Sequence, residues 1–262
     1  MKFRVSRIFK FSNFQILLFY CSLSIVNYSF SQQSYFQQTV NYNIKVSLVD
    51  TSNELNAFET IDYYNNSSFE LHEIYFHLWP NAYKNDKTAW AKQQVENGST
   101  KFYYSKESDR GYIDQLDFRV NGQNITWKLD TNNIDICVLT LNTPLAPGDH
   151  VSITTPFHVK IPYSFSRLGH VGQSYQITQW YPKPAVFDKY GWHAIPYLDQ
   201  GEFYSEFGTF DVFITLPKNY VVGATGDLVD GEQESIWLDS IAKATALIQT
   251  YNSKDLNQMH YW

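Results

Sequence analysis

The sequence predicts an all-β fold, mostly antiparallel, arranged as a multi-sheet sandwich or saddle. Three observations carry this prediction. First, apolar and polar residues alternate strictly over Val40-Asn41-Tyr42-Asn43-Ile44-Lys45-Val46-Ser47-Leu48, and similar runs recur along the chain; period two marks a half-buried strand. Second, turn-forming residues such as Asn121-Gly122 and Pro144 to Asp149 punctuate those runs, and neither βαβ alternation nor an internal repeat is present. Third, aromatic residues make up 18% of the 262 positions, and amphipathic rings at that density suit half-buried strands.

Val40 to Leu48 is the first strand, and Ala57 to Tyr63 reads as its partner. Glu70 to Leu78 is the third, ended by Trp79-Pro80-Asn81. Strict alternation there would put His72, Ile74, Phe76 and Leu78 on one face, and Glu73, Tyr75 and His77 on the other. From 81 to 108 the apolar positions thin out and Lys, Gln and Ser take over, which predicts a long surface excursion. Within it, Thr88 to Glu96 predicts a short helix with Ala89, Trp90 and Val95 as its apolar residues. Ile113 to Val120 resumes the strands. Asn121-Gly122 is a type I′ hairpin signal, so Ile125 to Leu129 is expected to pair back. Ile136 to Leu141, His150 to Ile161 and Phe210 to Leu216 follow. Tyr220 to Gly223, Leu228 to Val229 and Ser235 to Leu238 read as short closing strands. Ile241 to Ile248 is ambiguous, its β-branched residues favouring a strand and its alanines a helix.

The first residues fall outside this pattern. Lys2, Arg4, Arg7 and Lys10 precede an apolar run from Phe14 through Val26, and Ser29-Phe30-Ser31 offers small residues at the positions a signal peptidase reads. That predicts a secretory signal peptide over 1–31, cut before Gln32, and a secreted, periplasmic or cell-envelope location. The apolar run is too short and too polar for a membrane span. Tyr20 is too bulky to precede a lipidated Cys21. Removing four of the 20 basic residues leaves 16 against 26 acidic ones, a charge of −10. Such a chain lacks the footprint that would attract nucleic acid or anionic membranes. Cys137 is then the single cysteine and falls inside a strand, so no internal disulfide holds the fold.

No motif for on-board catalysis is complete. His72-Glu73 and His77 approach the H-E-x-x-H zinc motif, but the spacing is five and the segment is a strand, so the two imidazoles face opposite sides. No serine sits in a G-x-S-x-G elbow. Asp188, Asp199, Glu202 and Glu206 crowd an aromatic stretch. Paired carboxylates there would be the requirement of a glycosidase; a solvated acidic loop is the plainer reading, and an acidic, aromatic surface also suits sugar binding.

One stretch is more specific. Gln179-Trp180-Tyr181-Pro182 with Asp188, then Glu202-Phe203-Tyr204-Ser205-Glu206-Phe207-Gly208 running through Phe210-Asp211-Val212 to Pro217, then Val221-Val222-Gly223-Ala224-Thr225-Gly226, resembles the close of the N-terminal β domain of aminopeptidase N-like zinc metallopeptidases. Tyr75 to Tyr83 is similar to an early strand and turn of the same domain. The resemblance implies a β saddle over 32–250 that packs on a catalytic domain, with 251–262 beginning a linker to it. In such enzymes zinc is held by H-E-x-x-H in the catalytic domain. That motif is absent from this sequence, so the resemblance implies no cofactor in this chain, zinc only in the catalytic part, and no hydrolysis by the chain alone. The partners implied are that catalytic domain and a peptide substrate.

The same resemblance implies one substrate contact, a glutamine reaching the substrate's amino end. Gln179 and Gln176 are the candidates; an amide oxygen accepts from an ammonium without adding charge. The resemblance also implies that Trp180, Tyr181, Trp192 and Tyr197 meet the partner domain, with Phe203, Phe207, Phe210, Val212 and Ile214 in the core. The competing expectation is a free-standing secreted β-sandwich that binds carbohydrate or protein.

Overall fold

The computed structural model describes residues 35–229 and 231–252; the expected signal segment and the 253–262 end of the expected linker lie outside them. The chain forms two compact units, one ending at Thr215 and the other starting at Leu216. The first unit holds every strand: β1 (Thr39–Val49), β2 (Glu54–Tyr64), β3 (Leu71–His77), β4 (Tyr112–Asp114), β5 (Arg119–Val120), β6 (Gln123–Asn124), β7 (Thr126–Leu129), β8 (Ile136–Leu145), β9 (His150–Lys160), β10 (Gly169–Val171), β11 (Ser174–Gln176), β12 (Lys183–Pro184), β13 (Val186–Asp188), β14 (Gly191–His193) and β15 (Thr209–Thr215).

One sheet runs β15-β1-β2-β9-β5-β6, with β4 also on β9; the second runs β12-β3-β8-β7. The β10–β11 and β13–β14 hairpins stand apart. Every pairing is antiparallel except β1 with β15. The all-β, mostly antiparallel expectation is met.

Alternation explains which faces are buried. Val40, Tyr42, Ile44 and Val46 of β1 turn inward beside Ile61 and Tyr63 of β2 and Ile153, Phe157 and Val159 of β9. They meet Ile74 and Phe76 of β3 and Cys137 and Leu139 of β8 in one hydrophobic core. Each such aliphatic side chain contributes about 1.5–3 kcal/mol on burial, offset by the cost of ordering the chain. Gly208 leads into β15: a Cβ there would lie 2.7 Å from the Val40 carbonyl oxygen, so only glycine lets the chain pass this close to β1.

The chain changes sheets where a simple hairpin was expected. Asn121 (φ 50°) and Gly122 (φ 75°) make the turn, but the return strand β6 spans two residues only. Buried Ile125 then carries the chain across, and β7 pairs with β8 in the second sheet. The expected strand from Ile113 to Val120 is likewise divided: Gln115 takes φ 56°, separating β4 from β5. In β3 the register shifts between Leu71 and Glu73. Consequently His72 points to solvent while Leu71, Ile74 and Phe76 are buried, rather than sharing their face.

The 81–108 excursion carries no strand, and rings anchor it. Helix α1 (Ala89–Glu96) begins at Thr88, whose Oγ1 accepts from the Ala91 N–H at 3.2 Å and donates to the Ala82 carbonyl at 2.7 Å. Trp90 and Phe102 are fully buried, whereas Val95 is exposed. Asn81 fixes the approach: its Nδ2 donates to the Ile134 carbonyl at 3.0 Å and its Oδ1 accepts from the Ile113 N–H at 3.1 Å.

The second unit corrects the reading of the C-terminal region. Tyr220 to Gly223 and Leu228 to Val229 form no strand, and α2 (Glu232–Asn252) replaces both the expected Ser235–Leu238 strand and the ambiguous 241–248 segment. Glu232 and Glu234 in its first turn complement the helix dipole, and its alanines favour the helix. No helix among the described residues is long and apolar enough to cross a membrane.

Candidate functional site

The two predicted glutamines occupy the segment that leaves β11 and enters β12. Tyr175 pins its start, donating to Asn53 Oδ1 at 2.7 Å, and Thr178 Oγ1 donates to the Arg167 carbonyl at 2.8 Å. Gln176 ends β11 opposite Gly169, exposed to solvent. Gln179 is different. Its backbone takes φ 55°, a left-handed conformation uncommon outside glycine, and its Oε1 is buried with no hydrogen-bond partner among the described residues. Both features carry a cost, a strained backbone and a desolvated acceptor. The structure therefore separates the two candidates, one plain and one constrained.

Rings hold Gln179 in place. Trp180 packs against Phe157 (centroids 5.8 Å), and Tyr181 stands edge-on to Tyr42 at 5.6 Å. Trp180, Tyr181 and Trp192 are half-buried against this unit's own core, and Tyr197 is fully inside it. They were expected at a domain interface; within this unit their packing is against its own core. The reverse correction applies further on. Phe203 is half-buried against the core, but Phe207, Phe210, Val212 and Ile214 are exposed.

Near this face lies Glu59, central in β2 and wholly buried, with neither carboxylate oxygen hydrogen-bonded among the described residues. Burial holds its carboxyl well above the usual range; the Tyr181 phenol is raised too, chiefly by burial, with Glu59 adding to the rise. Period two in β2 puts position 59 on the same inward face as Ile61 and Tyr63, so the strand's own alternation carries an acid into the core.

The four acidic residues of the aromatic stretch do not gather into one site. Asp188 Oδ1 lies 2.8 Å from His193 Nε2, close but outside hydrogen-bond alignment, and Asp188 Oδ2 accepts from the Tyr204 hydroxyl at 3.2 Å. Burial pushes Asp188 up, yet His193 and the Tyr190 N–H outweigh it and hold the carboxyl below its ordinary value. Asp199 is tethered through its backbone N–H to Gln93 Oε1 at 2.7 Å. Glu202 lines a cleft with His77, Trp79, His193, Phe203 and Tyr204. His77 stacks on Trp79 at 4.6 Å; burial, then the Lys183 charge, drives its imidazole down to about 3, so it is neutral.

Lys183, unremarked in the sequence, ties this region together. Its Nζ lies over the Trp79 ring at 5.6 Å and donates to Ser205 Oγ. Burial lowers the ammonium to about 8, against the opposing pull of Glu206. Glu206 is itself raised to about 7, chiefly by burial, with Asp188 adding to the rise. No group of three or more His, Cys, Asp or Glu among the described residues is arranged to hold a metal ion. His72 and His77 confirm the geometric objection, one exposed and one buried.

No protein-family model matches the chain, and no curated protein matches it. Solved structures similar to it include M1 zinc metallopeptidases and LTA4 hydrolase. Among them are the enzyme from Deinococcus radiodurans and a mutant of it bound to a Tyr-Ser-Ala substrate. The former is 15% identical over 71% of this chain and 33% of that one (TM-score 0.34); the latter is 14% identical over 69% and 33% (TM-score 0.37). A third is native yeast LTA4 hydrolase, 14% identical over 75% of this chain and 27% of that one (TM-score 0.34). The chain spans about a third or less of the length of each.

Proposed function

We propose that this chain is the non-catalytic N-terminal β domain of a secreted zinc aminopeptidase, and that it presents Gln179 to the amino end of a peptide substrate. The domain spans 32–250 in this reading, with the signal segment over 1–31 directing export. The observation that carries the proposal is Gln179 itself, a non-glycine residue in a left-handed conformation whose buried amide oxygen has no hydrogen-bond partner among the described residues. Strain of this kind persists where surrounding structure over-determines it, and it clusters at ligand-binding positions. An ammonium group would satisfy the oxygen without burying a second anion. The run from Gln176 to Gly226 that resembles the metallopeptidase domain supplies the biological context. Zinc, and the water it activates, belong in this reading to the catalytic part.

Two measurements test it. The purified chain should bind no stoichiometric zinc and should not turn over aminoacyl anilides; turnover with bound zinc overturns the assignment. Titration with L-leucinamide, followed by NMR, should shift the Gln179 side-chain amide. N-acetyl-L-leucinamide should not shift it, and Gln179→Leu should abolish the response. Equal shifts with both ligands would remove Gln179 from the substrate-binding role.

A further inference from the structure

We propose that β15 pairs along its outer edge with β15 of a second copy of this chain, antiparallel about a two-fold axis at Val212, joining two sheets into one.

Among the described residues β15 is the terminal strand of the larger sheet and pairs within it with β1 alone. Its large apolar residues are open on both faces: Phe210 is 47% exposed, Val212 41%, Phe213 56% and Ile214 45%. An edge strand with this composition is a template for another strand, since only an extended backbone matches its row of outward amide and carbonyl groups. The face bearing Phe210 continues the core surface, because Phe210 stacks flat on buried Tyr42 at 4.4 Å.

The sequence of β15 identifies the occupant, because the strand is complementary to itself. With the axis at Val212 all seven residues overlap. Phe210 then faces Ile214 of the second copy, Val212 faces Val212, and Thr209 faces Thr215. Asp211 falls opposite Phe213. On β1, Lys45 is in register with Phe213, and its Nζ lies 6.0 Å from the centre of that ring. Directly paired residues share a face, so Lys45 reaches over Phe213 towards Asp211 of the second copy. The symmetry repeats this contact, giving two Lys45–Asp211 pairs across the junction. Moving the axis by one residue to Asp211 would set the two aspartates against each other, which is unfavourable. The charge pattern thus disfavours the Asp211-centred register, and the Val212-centred one combines full overlap of the strand with two Lys45–Asp211 pairs, in an isologous two-fold interface.

Sedimentation equilibrium of the purified chain over a concentration series tests the pairing. A dimer is expected. Asp211→Lys and Lys45→Glu should each weaken it at least tenfold, and the double exchange Lys45→Glu with Asp211→Lys should restore it. Both positions are solvent-exposed, and thermal melting checks that each variant folds; Asp211→Asn reads the same loss should Asp211→Lys fail to fold. A wild-type chain that stays monomeric at every concentration overturns the proposal. So does a dimer indifferent to the single exchanges, or one that the double exchange fails to restore.

Discussion

The carboxylate of Asp135 accepts the backbone N–H of Tyr197 at 2.6 Å, joining two points 62 residues apart. This bond fastens the 196–204 segment to the approach to β8, with Tyr197 sealed in the core and its hydroxyl accepting from the Tyr83 hydroxyl at 2.9 Å. Asp135 is itself buried, and burial raises its carboxyl to about 6 despite the hydrogen bond that favours the anion. The folded value exceeds the unfolded one, so its contribution to stability is full below about pH 4 and declines as pH rises through 6. The loss approaches about 3 kcal/mol. Asp135→Asn, which keeps an acceptor for Tyr197, should flatten that part of the pH–stability curve, as measured by urea unfolding at pH 4, 6 and 8. Asp135→Ala should cost about 1–3 kcal/mol at pH 4, by leaving the Tyr197 amide unpaired.

The 81–108 excursion makes a second prediction. Trp90 has no exposed surface and packs on Tyr83 and Phe102, both at 4.7 Å. Trp90→Ala should cost about 3–5 kcal/mol, whereas Val95→Ala, at an exposed position five residues on, should change stability by less than about 0.5 kcal/mol. Equal losses in chemical denaturation would show that α1 is not anchored through Trp90.

What the sequence could reveal here depends on the range of the forces involved. The long strands were readable because alternation over eight or more residues is local. The Asn121-Gly122 turn was readable because two successive positive φ values restrict the residue types. The transfer of Ile125 to the second sheet was not readable, because a hairpin signal fixes the turn and says nothing about how far the return strand extends. α2 was misread through its β-branched residues, a weak preference that its alanines outweigh. The site behaved similarly. Gln179 came from a sequence resemblance, and its distinction from Gln176 needed the backbone angle. Glu59 was legible in part, since alternation sets it on the inner face with Ile61 and Tyr63, whereas Lys183 escaped notice because its two-residue strand carries no pattern from which burial could be read.

Glu59 offers a third prediction. A carboxyl with neither oxygen hydrogen-bonded among the described residues is desolvated without compensation, and burial holds it well above the usual carboxylate range. Its folded pKa is raised, so its contribution to stability is present in acid and falls as pH climbs above the unfolded carboxylate range. Glu59→Met, similar in length and free of polar demand, should therefore stabilise the protein by about 1–3 kcal/mol. The gain should be larger at pH 8 than at pH 5 in thermal melts. A Glu59→Met protein less stable than wild type at pH 8 would mean that the carboxyl has a partner.

Lys183 supplies the last prediction, because two opposed effects set its titration. Burial lowers the ammonium to about 8, and the nearby Glu206 carboxylate pulls it back up. Glu206 titrates near 7, so it is mostly ionised when Lys183 loses its proton. Glu206→Gln removes the anion while keeping the shape, so the Lys183 midpoint should move below 8. Asp188→Asn, at a group that raises Glu206, should move the Glu206 midpoint down instead. For stability the sign is that of a depressed lysine: the charged form is penalised in the folded state, so this contribution grows as pH rises through 8 towards the unfolded lysine value. Heteronuclear NMR of the Lys183 side chain reads the midpoint directly. A midpoint unchanged in Glu206→Gln would mean that the carboxylate is too well solvated to act on Lys183, and that burial alone sets its basicity.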